Sequence, residues 1–242
     1  MALFDHYFLQ ARLAPAFMAV APLVAFVGLS VSWQDLSLPQ SILTLASLAF
    51  FFVFSDIARR FGRRYEAKMF RSHGKPSTVL LRHRDTTLDS KAKDRYKHFI
   101  ASKVGETPPS TEDEEIDPAE ADAAYERYAT WLRENSRDEA RFPILAAENR
   151  SYGFRRNLRG VKWPALLLNI CVSAAAAYLI YEPSAAKVVE PSINALAGIL
   201  AFSILHALYF LFAVSKESVL DASSQYARQL IVSCEAHMSS AK

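Results

Sequence analysis

Four stretches without a charged residue constrain this chain more than any other feature. They cover 13–34, 36–55, 163–181 and 191–215, and hold 22, 20, 19 and 25 residues. A bilayer core about 30 Å thick takes roughly 20 helical residues at about 1.5 Å each. The pattern predicts an all-α membrane protein, with four transmembrane helices as two hairpins and a mainly helical cytoplasmic insert. The expected boundaries are an N-terminal segment 1–12, hairpin 13–56, cytoplasmic domain 57–162 with an acidic linker 105–117, hairpin 163–215 and a cytoplasmic tail 216–242.

Orientation follows from lysine and arginine near the span ends. Arg59, Arg60, Arg63, Arg64 and Lys68 follow the second stretch, and Arg155, Arg156, Arg159 and Lys162 precede the third. The other two connections carry only Asp35, and Glu182, Lys187 and Glu190. Both termini and residues 57–162 are therefore expected in the cytoplasm. The N-terminus reads as an uncleaved signal anchor, since its apolar run is longer than a typical signal-peptide core. Cys171 and Cys234 offer no disulfide framework on this topology. Trp33, Trp163, Tyr178 and Tyr181 fall near expected interfaces, where amphipathic rings are favoured.

Local signals divide the insert. The second span is expected to continue through Ile57, Phe61, Tyr65 and Met69, and to stop at Gly74 and Pro76. Ser77–Leu81 has the composition of a short strand. Asp89 offers an N-cap for a helix ending near Gly105. Asp117-Pro118-Ala119-Glu120 has the form of a capped helix start with a capping box. Ser136 with Glu139 suggests a further start. In span one, Pro22 removes a backbone donor and is expected to kink the helix, with neighbouring helices covering the freed carbonyl.

Charge within the insert is segregated. Residues 59–104 hold 14 basic and 4 acidic residues, whereas 105–126 hold 9 acidic and none basic. One reading is a basic surface for an anionic partner, with the acidic segment as an internal competitor. The other is topological, with the juxtamembrane clusters holding the spans and meeting anionic lipid.

Two clusters carry the candidate ligand residues. In Gly74–Asp85, Lys75, Ser77, Thr78, Arg82 and Arg84 are the types that grip phosphate, because arginine supplies paired donors and lysine a compact charge. The glycine spacing of a P-loop is absent. In Glu148–Asn157, Tyr152, Arg155 and Arg156 suit either a stacked anionic ligand or an interfacial bend relieved by Gly153. Within the spans, Asn169 and His206 fall at similar depth in antiparallel helices, so a hydrogen bond between them is geometrically allowed. Ser173 and Ser203 lie nearby.

The segments YGFRRN, GKPST and LLRHRD resemble those of uncharacterised bacterial four-pass membrane proteins with a cytoplasmic insert. That resemblance implies a bacterial inner-membrane location and no particular activity. No catalytic set, metal set or cofactor is assigned. The leading expectation is a sensor, effector or adaptor that couples an anionic ligand or partner to the spans. A membrane-anchored enzyme using His83 and Asp85 on a phosphorylated or nucleic-acid substrate is one alternative, and an oligomeric channel another. Expected partners are anionic membrane lipids, a protein partner or a second copy, and a nucleotide or nucleic acid.

Overall fold

A computed structural model describes residues 6–30, 38–185 and 191–240. Trp33, read as an interface residue, and the connection charges Asp35, Lys187 and Glu190 lie outside them. The described residues are helical, with no strand among them. Four helices are long and apolar enough to cross a membrane: Phe8–Ser30, Leu38–Met69, Lys162–Tyr181 and Ile193–Ala213. The chain is thus an all-α protein with the spans of a multi-pass membrane protein.

It divides into two units, Met1–Glu66 with Gly153–Val219, and Ala67–Tyr152 with Leu220–Lys242. The first contains α1 (Ala14–Ser30), preceded by the π-helical segment Phe8–Leu13, most of α2 (Leu38–Met69), α8 (Lys162–Tyr181) and α9 (Ile193–Leu208), followed by the π-helical segment Tyr209–Ala213. Helices α1, α8 and α9 pack on one another. Small side chains allow that approach: Ala16, Ala19, Ala165 and Ala176 are fully buried. Small residues let helix backbones come close where lipid supplies no hydrophobic drive.

Helix α2 instead presents Ile42, Leu45, Leu48, Phe52 and Val53 outward. It meets α7 (Pro143–Gly160) at a close crossing. A Cβ on Gly160 would lie 2.3 Å from the Gly62 nitrogen, and one on Gly62 would lie 2.4 Å from Asn157 Oδ1. Only glycine fits either position.

The second unit is built on α4 (Ser90–Val104), α6 (Pro118–Asn135), part of α10 (Lys216–Val232) and α11 (Cys234–Ser239), with the short α3 (Pro76–Val79) and α5 (Thr111–Ile116) beside them. Its core joins Leu81, Tyr96, Ile100, Tyr125, Tyr128 and Leu132 to Leu230, Ile231 and Cys234. Residues 216–242, read as a tail, therefore supply part of this core.

Several local expectations hold. Helix α2 runs to Met69, and Gly74 is left-handed at φ +81°. Asp89 accepts the Ala92 N–H, and Gly105 closes α4 at φ +83°. Asp117 caps α6 through the N–H groups of Ala119 and Glu120.

Others are corrected. The stretch read as a strand at Ser77–Leu81 is helical over Pro76–Val79, because Pro76 sets the first helical φ and frees no needed donor. The capping box forms between Ser110 and Asp113. It makes residues 111–116 of the expected linker helical. Ser136 ends α6 and does not begin a helix; the next helix starts at Pro143.

Candidate functional site

Carboxylates of α6 collect most of the first candidate cluster. Asp122 and Glu126 are four residues apart and so share a helix face. Arg82 gives Asp122 two parallel bonds, Nε to Oδ1 at 2.8 Å and Nη2 to Oδ2 at 2.5 Å. Glu126 accepts from Lys75 Nζ at 2.8 Å, Thr78 Oγ1 at 3.2 Å and Arg133 Nη2 at 2.9 Å. The bond to Asp122 holds Arg82 above its ordinary pKa. Burial pushes the Glu126 carboxyl up, but the bonds from Lys75 and Arg133 outweigh it and leave the carboxyl below its usual range. Ser77 is buried in the first turn of α3, and Arg84 is exposed with no ion pair among the described residues.

The loop after α3 is fixed from inside. Lys93, 2% exposed, donates Nζ to the carbonyls of Arg82, at 2.7 Å, and Asp85. Burial lowers its pKa. The His83 Nε2 lies 2.9 Å from the Pro109 carbonyl, and Glu114 accepts the His83 N–H at 2.8 Å. The Asp85 carboxylate accepts from the Thr87 N–H and hydroxyl within its own turn. His83 and Asp85 are thus engaged with separate partners.

The second candidate cluster is also dispersed. Tyr152 is buried and stacks on Tyr226, with ring centroids 5.9 Å apart and planes 14° apart. Arg155 Nη1 donates to Ser218 Oγ at 2.7 Å, and Arg156 Nη1 to Glu66 Oε2 at 2.8 Å.

Beside them sits Asn157, 1% exposed, whose Nδ2 donates to the Ala11 carbonyl at 2.7 Å. Ala11 lies in the π-helical segment, and Pro15 just beyond it has no N–H to give. Lys162 does similar work at the other π-helical segment: its Nζ donates to the carbonyls of Leu211 at 2.9 Å and Val214 at 3.0 Å. Carbonyls at a helix end have no intrahelical donor, and a lysine can supply one.

In place of the Asn169–His206 bond that the sequence allows, each side chain meets a backbone carbonyl. Asn169 Nδ2 donates to the Ser203 carbonyl at 2.9 Å, and His206 Nε2 lies 2.9 Å from the Met18 carbonyl. Met18 stands four residues before Pro22, so the second proline of α1 also frees a carbonyl that another helix covers. Sequence reasoning named Lys162 only as a topological charge and Asp122 and Glu126 only within the acidic run 105–126, and it assigned no contact to Asn157 or Lys93. The position four before Pro22 pointed to an acceptor without naming its donor.

Among the described residues no group of three His, Cys, Asp or Glu side chains is placed to hold a metal ion. A recessed surface of the second unit, about 530 Å³, is lined by Glu106, Asp113, Asp117, Glu120 and Arg127. Arg127 bonds Glu106 at 2.7 Å and Glu120 at 3.1 Å. Comparison with protein-family models, with curated proteins and with solved structures gives no match to this chain.

Proposed function

We propose that this chain is a bacterial inner-membrane sensor or adaptor with two transmembrane hairpins, and with both termini and the insert in the cytoplasm. Its second unit binds an anionic ligand or partner, and the three helices that contain the unit boundaries, α2, α7 and α10, carry the change to the spans. The lysine and arginine clusters at 59–68 and 155–162 support the orientation. Reporter fusions at 110 and at the C-terminus test it; an external reading at either point refutes this topology.

The observation that carries the ligand reading is the occupation of Lys75, Thr78, Arg82 and Arg133 by Asp122 and Glu126. These donors form a ready set for a phosphate, held by carboxylates that a stronger anion displaces. Arg84, exposed two residues beyond Arg82, would join the same ligand. Full-length protein in detergent, titrated with pyrophosphate or ATP, tests the competition. Glu126→Gln should tighten binding several-fold, and Lys75→Ala with Arg84→Ala should weaken it. Equal binding by wild type and Glu126→Gln refutes the reading.

A further inference from the structure

The place where α1, α8 and α9 meet holds more polar atoms than its hydrogen bonds use. Asn169, Ser203 and His206 are 4%, 2% and 7% exposed. Asn169 Oδ1, Ser203 Oγ and His206 Nδ1 are all buried without a partner. Each missing bond follows from one already made. A carbonyl only accepts, so the proton of His206 is on Nε2, facing Met18, and the neutral ring leaves Nδ1 as an acceptor. Asn169 directs its amide NH₂ at the Ser203 carbonyl, so its oxygen is the end left over.

Ser203 and His206 stand three residues apart on one face of α9, and Asn169 bonds to the backbone of Ser203 itself. The three side chains are therefore neighbours, two on one turn of α9 and the third against that turn from α8. Two are acceptors and one is a hydroxyl, which has a single hydrogen to give. The set is one donor short, inside a helix bundle where lipid offers none.

We propose that Asn169, Ser203 and His206 form a binding site for a water molecule between these three spans. The hydrogen-bond count closes with no atom left over. Water donates one hydrogen to His206 Nδ1 and one to Asn169 Oδ1, and accepts the Ser203 hydroxyl. Three polar partners are the usual complement of a buried water. A cation fits less well, because the four charge-free stretches contain no carboxylate to neutralise it. An imidazole nitrogen is also a poor ligand for an alkali ion. The bound water makes His206 accessible to hydrogen exchange within an otherwise apolar helix cluster.

Solid-state NMR of the full-length protein in liposomes tests this, with ¹⁵N-labelled histidine and magnetisation transferred from water. His206→Gln assigns the resonance by loss of one of the six histidine signals; the ring contact to Phe210 at 4.5 Å assigns it otherwise. The expected result is a neutral ring protonated on Nε2, with Nδ1 receiving magnetisation from water. Ser203→Ala and Asn169→Leu should each abolish the transfer while the Nε2 proton stays in place. Absence of transfer in the wild type overturns the proposal, as does a proton on Nδ1. So does a signal that shifts with sodium or potassium and is indifferent to exchange into D₂O. The wild-type spectrum decides the matter even where a variant fails to insert.

Discussion

His206 Nε2 lies 2.9 Å from the carbonyl of Met18, the one acceptor in α1 that Pro22 deprives of its helical donor. Asn157 Nδ2 likewise donates to the Ala11 carbonyl, in the π-helical segment just before Pro15. Each of these carbonyls lies ahead of a proline of the first span, and a side chain distant in sequence reaches each of them. A proline in a span is tolerated where a neighbouring group re-satisfies the backbone.

This relation predicts non-additivity. His206→Phe should destabilise the wild type by about 1–3 kcal/mol, because it leaves a buried carbonyl unpaired. In a Pro22→Ala background the helix supplies its own N–H, and the same change should cost much less. Thermal unfolding in detergent measures the cycle; equal costs in the two backgrounds would show that Met18 is not the partner that matters.

The crossing of α2 and α7 predicts a steep response at Gly160. Its Cβ would meet backbone at 2.3 Å and 2.7 Å, which no rotamer change relieves. Gly160→Ala should lower the yield of folded, monodisperse protein sharply. At Gly198, where a Cβ meets nothing within 4 Å, alanine should be tolerated. Comparable yields for the two variants would remove the crossing as a constraint.

His237 predicts acid sensitivity at the C-terminus. Its Nε2 lies 2.9 Å from Ser136 Oγ, and its ring packs on Trp131 and Phe142. Burial, with Arg141 nearby, lowers its pKa from the ordinary 6.5. The folded state then binds the proton less well than the unfolded chain, so this stability is fully present above about pH 6.5 and declines as pH falls below it. Hydrogen exchange of amides 227–239 should accelerate on acidification. His237→Gln should remove that dependence, and its persistence in the variant would assign it elsewhere.

Cys234 should be inert while the protein is folded. It is fully buried, and burial raises its thiol pKa to about 12. In Cys171→Ala protein, N-ethylmaleimide at pH 7 should label Cys234 only after denaturation. Rapid labelling of the folded form would mean that α11 leaves the core readily.

Much of the fold was legible because the signals are local. Four uncharged stretches gave the spans, Asp89 and Asp117 gave helix starts, and Gly74 and Gly105 gave stops. The strand reading of STVLL failed because five residues carry no decisive period, and Pro76 favours a helical turn. Ser136 has the chemistry of an N-cap, yet it ends α6 and bonds across to His237. The candidate ligand cluster was visible as a charge pattern, and so was an acidic competitor. That Asp122 and Glu126 in particular occupy Arg82 and Lys75 was not visible, because it depends on how α3 and α6 pack.

The sequence alone determined which segments are long and apolar enough to cross a membrane and that Pro22 frees a carbonyl in the first of them, since both follow from side-chain transfer energies and the chemistry of proline. Tertiary structure alone decided which side chains reach the backbone carbonyls of Ala11 and Met18. Asn157, 146 residues from Ala11, and His206, 188 from Met18, reach them only through helix packing. It also left Asn169 Oδ1, Ser203 Oγ and His206 Nδ1 buried without a partner. Hydrogen bonds act over about 3 Å, and no local pattern encodes contact at such separations.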